Sequence, residues 1–224
     1  MCGRYVIDPE TGWPRKLVEG EPGFGEWADY NVSPSRMVPA LGRISGQMRM
    51  FEAHWGLVPG WAKDWDAMKT KPINARVETV AEKPMFRGAF KRGRVAIPAS
   101  GYYEWQATPD GKQPHYIHPA DGQPLFFAGL AEVWGPEDKR SVTIITGPST
   151  GPASTVHDRM PMMLTWPRGI ELWTSDADDP ADLLALLEDE TNAIADSLIV
   201  EPVSRAVNSP RNNSPELIQP IEFG

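Results

Sequence analysis

The chain has 224 residues, enough for one sizeable hydrophobic core, and no Ser/Gly-rich or low-complexity stretch divides it, so we predict a single domain over residues 1–224. No apolar run approaches the roughly 20 residues of a spanning helix, and the N-terminus has no apolar signal segment, which excludes a transmembrane helix and argues against secretion. Cys2 is the only cysteine, which excludes an intramolecular disulfide and a cysteine-based metal site. We expect no metal, no membrane partner and a reducing, cytoplasmic location.

Charge is distributed unevenly along the chain. The formal net charge is −8, with 22 Lys and Arg against 30 Asp and Glu, which alone argues weakly against a nucleic-acid partner. The stretch Lys63–Arg94, called the basic segment below, carries nine Lys and Arg against four acids, a local charge of +5. Glu171–Glu201 holds ten acids and no Lys or Arg. Because phosphate binding depends on local potential and counterion release, a basic face can coexist with the acidic total.

Most predicted elements are strands, because Pro and Gly fall throughout the chain and separate short apolar stretches. In chain order, β-branched and aromatic residues predict strands at Gln47–Trp55, Arg94–Ile97, Gly101–Trp105, His115–His118, Pro124–Leu130 and Ser141–Gly147. Asp110-Gly111 and Asp121-Gly122 predict hairpin turns between consecutive strands. A helix is predicted from Pro180 to about Ser197, capped by Asp179 and with its acids facing solvent. We predict an α+β fold with a mainly antiparallel, barrel-like β core and peripheral helices.

Cys2 is small enough for removal of Met1 to be expected, which leaves an α-amine and a thiol on one residue. Such an aminothiol reacts with an aldehyde in two steps: the amine condenses to an imine, and the adjacent thiolate closes a five-membered thiazolidine ring at high effective molarity. This chemistry needs no cofactor. The alternative is that Cys2 is an ordinary uncharged residue of a loose terminus.

Two further side chains suit proton transfer. Glu104 lies in an apolar, aromatic stretch, where a buried carboxyl suits general acid–base catalysis. Alternatively, Glu104 is a strand-edge glutamate or the partner of an arginine. His157 lies in a loop-like region after the strand that ends near Gly147, and an imidazole exchanges protons near neutral pH. A structural, hydrogen-bonded histidine is the alternative there.

Other side chains suit contacts to a nucleic acid. The Asn74 amide can orient an amine or a sugar hydroxyl, and Arg76 shares its strand face and can hold a phosphate. The alternative for Arg76 is an ion pair with Glu78 on that face. Of nine tryptophans, Trp61 and Trp65 adjoin the basic segment, as a stacking platform for unpaired bases would require, although most of the nine suit a core.

Nine motifs, in order, carry a resemblance that extends over nearly the whole chain. They are Met1–Tyr5, Tyr30–Pro34, His54–Trp61, Asn74–Thr79, Ile97–Trp105, Phe127–Leu130, Thr143–Thr146, His157–Pro161, and Pro202–Asn208 followed by Pro215–Ile218. The sequence resembles the SOS response-associated peptidase family, also called abasic site processing proteins. One such motif would be weak evidence, but nine in this order are highly specific.

The resemblance implies an enzyme with a lyase-type crosslinking activity in DNA repair. It would sense abasic sites in single-stranded DNA and form a covalent thiazolidine crosslink that shields the lesion from strand cleavage. Cys2 would be the nucleophile, and Asn74 and Glu104 would position and protonate groups around the imine. His157 would assist opening of the sugar ring, and Glu104 would serve in reversal of the crosslink.

The resemblance also implies a DNA-binding surface on a monomer. The residues assigned to it are Arg4, Pro34, Trp61, Arg76, Met85 and Arg87. The two arginines Arg4 and Arg76 would grip phosphates, whereas Met85 and Arg87 would lie near the duplex side of a junction between single-stranded and double-stranded DNA.

Two other functions are also compatible with these residues. One is a thiol peptidase with Cys2 as nucleophile and His157 as base, whose natural substrate is limited to Met1. The other is a non-catalytic binder of single-stranded or modified DNA, in which the basic and aromatic groups act alone.

Overall fold

The computed structural model describes residues 2–13, 28–66 and 68–222, and Met1 lies outside them. Twelve strands occur in this part of the chain: β1 (Tyr5–Ile7), β2 (Asp29–Val32), β3 (Met37–Ile44), β4 (Gln47–Trp55), β5 (Asn74–Arg76), β6 (Arg94–Ala99), β7 (Gly101–Thr108), β8 (Gly111–Pro119), β9 (Leu125–Trp134), β10 (Lys139–Pro148), β11 (Arg159–Pro161) and β12 (Leu198–Pro202). Three α-helices accompany them: α1 (Arg87–Arg92), α2 (Arg168–Trp173) and α3 (Pro180–Ala195). Short 3₁₀ helices span Gly151–Thr155, Arg205–Asn208 and Pro215–Ile218.

A seven-stranded sheet forms the barrel-like part of the core. Five of its strands pair in a closed circuit, in which β3 pairs with β4, β4 with β10, β10 with β9, β9 with β6 and β6 with β3. Only the pairing of β4 with β10 is parallel within this circuit. Strands β5 and β11 extend β10 at its C-terminal end, so the sheet is not an even barrel. The predicted mainly antiparallel, barrel-like α+β fold is confirmed.

The second sheet has five antiparallel strands in the order β12-β8-β7-β1-β2. Strand β1 lies next to β7, with Tyr5 opposite Tyr102. A Cβ atom at Gly101 would lie 2.6 Å from Tyr116 Cε2 and 2.7 Å from the Ile117 carbonyl oxygen, so only glycine permits this close approach of β7 to β8. The N-terminal strand is thereby fixed inside the sheet.

One buried cluster joins the two sheets and determines where the N-terminus lies. It contains Trp55 and Phe127 of the seven-stranded sheet together with Tyr5 and Tyr102 of the five-stranded sheet. Burying each aromatic side chain contributes about 1.5–3 kcal/mol, so this cluster supplies a large share of the driving force that holds β1 in place. Cys2 belongs to the same cluster and is fully buried.

All six strands predicted from the sequence exist, and the first has the bounds of β4. The turn at Asp110-Gly111 joins β7 and β8 as a hairpin, with Gly111 at φ +106°. The hairpin predicted at Asp121-Gly122 is wrong, because β8 belongs to the five-stranded sheet and β9 to the seven-stranded sheet. Here the turn passes the chain from one sheet to the other.

The predicted acidic helix is α3. Its cap is Asp179, whose carboxylate accepts hydrogen bonds from the backbone N–H groups of Ala181 at 2.8 Å and Asp182 at 3.3 Å. The helix buries Leu183 and Leu187, one turn apart, against the core. The acids face solvent as predicted, except that Glu190 accepts from the Thr165 backbone N–H at 2.8 Å. No helix in the described part of the chain is long and apolar enough to cross a membrane.

Candidate active site

Cys2 lies at the start of the segment that leads into β1. The backbone N–H of Tyr103 donates to the Arg4 carbonyl oxygen at 3.0 Å, which extends the pairing of β1 with β7 toward Cys2. None of the Cys2 surface is exposed. The alternative that Cys2 belongs to a loose terminus is therefore wrong.

Asn74 connects Cys2 to the seven-stranded sheet. It begins β5, which runs parallel to β10 with Asn74 opposite Ile144. Its side-chain Nδ2 donates a 2.8 Å hydrogen bond to the Cys2 carbonyl oxygen. The amide thus fixes the backbone of the residue that carries both the thiol and, once Met1 is removed, the α-amine.

Glu104 lies on β7 and is almost completely buried. Burial raises the pKa of the Cys2 thiol far above its ordinary value, and the negative charge of Glu104 raises it further. The thiol therefore stays protonated at neutral pH while Met1 is in place.

His157 follows the 3₁₀ helix Gly151–Thr155 and precedes β11. Its Nδ1 lies 2.8 Å from an Asp158 carboxylate oxygen and 3.0 Å from the backbone N of Arg159. Gln106 of β7 donates from Nε2 to the Thr155 carbonyl oxygen at 3.0 Å, which attaches this segment to the strand that carries Glu104. His157 and Glu104 consequently line one cleft, of about 380 Å³, together with Trp105, Lys112 and Asn208.

Arg159 is a residue of the site whose role the sequence did not reveal. Its guanidinium pairs with both carboxylate oxygens of Glu78, through Nη1 to Oε1 and through Nη2 to Oε2 at 3.1 Å. Its Nη2 also donates to the Thr146 carbonyl oxygen at 2.5 Å. This pairing lowers the pKa of Glu78. Glu78 therefore forms its ion pair with Arg159, and the alternative that Arg76 pairs with Glu78 is wrong.

Arg76 itself is exposed. The edge of the site that carries Arg76, Glu78 and Arg159 is called the rim below. Arg76 ends β5, opposite Thr146 of β10, and its charge makes a minor contribution to the lowered pKa of Glu78. Asn74 and Arg76 alternate with buried Ala75 along the strand, so they lie on one face, as expected from the sequence.

Arg4 holds two distant parts of the chain together. Its Nη1 donates to Asn31 Oδ1 at 2.6 Å and to the Val207 carbonyl oxygen at 2.8 Å. The guanidinium also lies over the Trp105 ring, 6.0 Å from its centroid. Partial burial lowers the pKa of Arg4. Any phosphate contact of this side chain would be added to a structural role.

Comparisons with known proteins agree with the motif pattern. Residues 1–210 match the family described as SOS response associated peptidase (SRAP). The chain belongs to this family. It is 36% identical to the abasic site processing protein YoqW of Bacillus subtilis, over 98% of this chain and 99% of the relative. It is 34% identical to the abasic site processing protein YedK of Escherichia coli, over 86% and 84%, and 34% identical to HMCES of Gallus gallus, over 100% and 79%.

Solved structures resemble this SRAP protein in fold. A protein from Bacteroides thetaiotaomicron superimposes with a TM-score of 0.77 at 22% identity, covering 99% of this chain and 100% of its own. A phage-related protein from Bordetella bronchiseptica gives a TM-score of 0.67 at 26% identity, over 91% and 95%. The architecture described above is therefore shared across widely diverged chains.

Three of the residues that the sequence predicts to bind DNA lie near different ends of β10. Arg76 lies opposite Thr146, near the end of that strand. Trp61, which is 66% exposed, and Arg87 line a different cleft, of about 850 Å³, that also holds Glu132, opposite Ser141 near the start of the strand. Five residues of a strand span roughly 16 Å, the length of several nucleotides. Pro34 and Met85 are half-buried.

The basic segment does not form a uniform surface. Arg94 is buried and donates hydrogen bonds to the carbonyl oxygens of Phe90, Lys91, Trp173, Ser175 and Ala177. Lys71 lies 3.9 Å from Asp66. The local charge of +5 therefore overstates what a DNA strand would meet. Within residues 2–13, 28–66 and 68–222, no group of three or more His, Cys, Asp and Glu side chains is arranged to hold a metal ion.

Proposed function

We propose that this protein senses abasic sites in single-stranded DNA during repair and forms a covalent DNA–protein crosslink through Cys2 after Met1 has been removed. Its family, and its similarity to abasic site processing proteins, support abasic-site processing. The observation that carries the covalent chemistry is the 2.8 Å hydrogen bond from Asn74 to the Cys2 carbonyl oxygen, which fixes the backbone of the reactive residue.

The first step is imine formation. An abasic deoxyribose in its ring-opened form presents an aldehyde, which the Cys2 α-amine attacks to give a carbinolamine. Glu104 or His157 delivers a proton to the carbinolamine hydroxyl, which departs as water and leaves a protonated imine. His157, at the mouth of the cleft, is suited to assist opening of the sugar ring before this step.

The second step is ring closure. The carboxylate of Glu104 takes the thiol proton, the sulfur attacks the imine carbon, and the electron pair of the C=N bond moves to nitrogen. The raised pKa of the thiol makes a neighbouring base necessary at neutral pH. Removal of Met1 assists, because the positive charge of the protonated imine then lies on Cys2 itself, where it stabilises the developing thiolate.

Ring closure protects the DNA strand. An imine at the former aldehyde carbon acidifies the neighbouring position and promotes β-elimination, which would cleave the phosphodiester. The thiazolidine no longer withdraws electrons in this way, so the lesion is shielded. Protonation of the thiazolidine by Glu104 would reopen the ring and allow the crosslink to reverse.

Binding of the DNA would rest on the exposed rim. Arg76 would hold a phosphate next to the lesion, and Trp61 with Arg87 would contact nucleotides farther along, toward the duplex side of a junction. The protein would act as a monomer in the cytoplasm and would be associated with the nucleoid when bound to DNA.

The family description as a peptidase supports a second activity limited to removal of Met1. Cys2 would be the nucleophile and His157 the base. The raised pKa of the Cys2 thiol disfavours a standing thiolate, which a general thiol peptidase would use, so we restrict this proposal to the chain's own N-terminus.

The test is a denaturing gel of purified protein mixed with a single-stranded oligonucleotide that contains one abasic site. We expect a covalent band whose formation is lost in Cys2→Ser and on a tetrahydrofuran analogue of the site, which has no aldehyde. Mass spectrometry should show that the reactive chain lacks Met1. If the mature protein gives no covalent band, the proposal fails, and binding that survives in Cys2→Ser without a band from either protein would favour a non-covalent DNA binder.

A further inference from the structure

The cleft that holds Glu104 and His157 has a wall built by the hairpin of β7 and β8. Trp105 of β7 and Lys112 of β8 line the cleft of about 380 Å³ from this hairpin. Lys112 lies opposite Ala107, which is two residues beyond Trp105 on β7. Opposite residues of paired strands share a face, as do residues two apart, so Trp105 and Lys112 project from the same face. These two residues are called the hairpin wall below.

Contacts of Trp105 and of the hairpin turn fix the hairpin wall. Trp105 Nε1 donates to Asn208 Oδ1 at 2.7 Å, and the Arg4 guanidinium lies over the ring, 6.0 Å from its centroid. Arg205 donates from Nη2 to the Asp110 carbonyl oxygen at 3.3 Å, which attaches the turn to the 3₁₀ helix that ends at Asn208. None of these contacts uses the lysine of the wall, so its side chain is not needed to hold the hairpin in place.

The Lys112 ammonium group is available to bind an anion. The side chain is exposed, and it forms no ion pair or hydrogen bond with residues 2–13, 28–66 and 68–222. Lys139, by contrast, lies 3.1 Å from Glu137. Of the described residues that line the cleft, Lys112 alone is a Lys or Arg. An anion in the cleft would thus meet a cation that has no carboxylate partner to give up.

A phosphate that approaches the cleft also meets negative charge. The Glu104 carboxyl group is almost completely buried there, and an Asp158 carboxylate oxygen lies 2.8 Å from His157 Nδ1. Like charges repel strongly where water is excluded, so these carboxylates alone would disfavour entry of a DNA strand. The lysine of the hairpin wall offsets this repulsion.

Lys112 and Arg76 belong to different sheets. Arg76 ends β5 of the seven-stranded sheet, whereas Lys112 lies on β8 of the five-stranded sheet. The two sheets meet at the buried cluster that contains Cys2. A nucleotide inside a DNA strand has a phosphate on each side of its sugar, so one cation on each sheet matches the two phosphates of one nucleotide. Holding both phosphates would fix the sugar more closely than holding one.

We propose that Lys112 binds the phosphate on one side of the abasic nucleotide and that Arg76 binds the phosphate on the other side. The inference deepens the proposed function and rests on it, because it requires that the lesion enters the cleft of Glu104 and His157. An ammonium group on a flexible stem has three donors and suits a single phosphate oxygen. With both phosphates held, the sugar lies between the two sheets, where Cys2 is placed.

The experiment measures non-covalent binding of wild type, Lys112→Ala, Lys112→Arg, Arg76→Ala and Lys139→Ala by fluorescence anisotropy. The parent ligand is a single-stranded oligonucleotide with one tetrahydrofuran analogue of the abasic site, which has no aldehyde and cannot crosslink. Two further oligonucleotides each replace one of the two linkages that flank the analogue by an uncharged methylphosphonate. Lys139, an exposed lysine at the start of β10, is the matched control outside the cleft.

Lys112→Ala should weaken binding to the parent oligonucleotide by on the order of tenfold and reduce the slope of log affinity against log salt by about 1, because one phosphate contact is lost. Lys112→Arg keeps the charge and should bind as wild type does. Where the methylphosphonate removes the charge that Lys112 contacts, wild type and Lys112→Ala should bind equally, whereas Arg76→Ala stays weaker. The other methylphosphonate should exchange the roles of the two variants. Thermal unfolding of Lys112→Ala should match wild type.

Three results would overturn the inference. In the first, Lys112→Ala binds the parent oligonucleotide as tightly as wild type and Lys139→Ala do. In the second, it loses affinity equally on both methylphosphonate oligonucleotides, which means a general charge effect and no contact to one phosphate. In the third, Lys112→Ala and Arg76→Ala respond to the same linkage, so both cations lie on one side of the lesion.

The binding measurements use DNA that cannot react, so they separate this inference from the proposed function. A wild-type protein that gives no covalent band on an abasic oligonucleotide overturns the proposed function. The response of Lys112→Ala to the two uncharged linkages decides only where Lys112 contacts the strand.

Discussion

The surroundings of Cys2 and the basic segment contribute to the site in different ways. Cys2, Asn74 and Glu104 lie at points fixed by the pairing of β1 with β7 and of β5 with β10, and two of the three are fully or almost fully buried. The basic segment includes a long connection and a six-residue helix, and most of its charges are exposed. Chemistry depends on groups removed from water, whose electrostatic effects are strong. Binding depends on exposed charges that salt screens.

This difference predicts distinct consequences of mutation. Loss of one buried group near Cys2 should affect the rate of the covalent step and leave affinity largely intact. Loss of one exposed basic side chain should affect affinity, depend on salt and leave the covalent step intact once DNA is bound. The predictions below test that separation.

Glu104→Gln should have the largest effect. The amide keeps the size and much of the polarity of the carboxyl, but it cannot accept the thiol proton or deliver one to the carbinolamine. We expect the single-turnover crosslinking rate to fall by about 10²–10⁴-fold, as is typical for loss of a general acid–base group. Non-covalent binding of the same oligonucleotide, measured by fluorescence anisotropy, should change little.

Glu132→Gln is the matched control for this prediction. Glu132 is a half-buried carboxyl on β9, and burial raises its pKa, but it lies opposite Ser141 near the start of β10 and lines the cleft of Trp61 and not that of Glu104 and His157. Its single-turnover crosslinking rate at saturating DNA should equal that of wild type. A Glu104→Gln protein that crosslinks at the wild-type rate would show that the proton transfers use another group.

Much of the fold followed from local patterns. The strand at Gln47–Trp55 and the helix capped by Asp179 were predictable because aromatic residues in a short segment and a capping residue before Pro180 act within a few residues. The motif pattern also gave the family. Asp121-Gly122 was misleading because a turn signal determines that the chain reverses, and only the packing of whole sheets determines which strands then pair.

The site was less accessible to sequence reasoning than the fold. Burial of Cys2 depends on the register of Tyr5 with Tyr102, a contact between distant parts of the chain. The Arg94 guanidinium is buried because it donates hydrogen bonds to the carbonyl oxygens of Trp173, Ser175 and Ala177. These oxygens lie near Arg94 only once α2 has packed against the core. Arg159 could have been singled out from its motif next to His157, but its pairing with Glu78 required the addition of β5 and β11 to β10.

Arg76→Ala tests the exposed side of the comparison and should have an intermediate effect. Loss of one phosphate contact is expected to weaken non-covalent binding of single-stranded DNA by about tenfold and to reduce the slope of log affinity against log salt by about 1. The crosslinking rate at saturating DNA should stay near that of wild type. These quantities are measured by anisotropy titrations at several salt concentrations and by single-turnover gels.

Lys139→Ala is the control for Arg76→Ala. Lys139 is a half-exposed cation that starts β10 and pairs with Glu137, seven residues and roughly 23 Å along the strand from the position opposite Arg76. Its salt dependence should change less than that of Arg76→Ala. Arg76→Ala could instead lower the crosslinking rate at saturating DNA and leave the affinity for DNA unchanged. Arg76 would then act in the covalent step, like the buried residues near Cys2, and the two regions would not have separate roles.

Glu78→Gln should have the smallest effect, on stability and its pH dependence. Pairing with Arg159 lowers the pKa of Glu78 below its ordinary value of 4.5, so the ionised form stabilises the fold. That stability is fully present above about pH 4.5 and is lost as pH falls through the lower folded-state pKa. Glu78 is nearly half exposed, so screening limits the contribution at neutral pH to about 0.2–1 kcal/mol. Urea unfolding should show Glu78→Gln less stable than wild type at pH 7, with the gap closing as the solution is acidified below the folded pKa.

The matched comparison for Glu78→Gln is Glu137→Gln, which removes an exposed carboxylate 3.1 Å from Lys139. That pair is more exposed than the pair of Glu78 with Arg159, so we expect a smaller change in stability at pH 7. A gap for Glu78→Gln that stays constant from neutral to acid pH would mean that the carboxylate charge does not stabilise this rim. The attachment of β11 and His157 would then depend only on the Arg159 hydrogen bond to Thr146 and on the pairing of β11 with β10. In that case strand pairing would fix the position of this rim, as it fixes the position of Cys2.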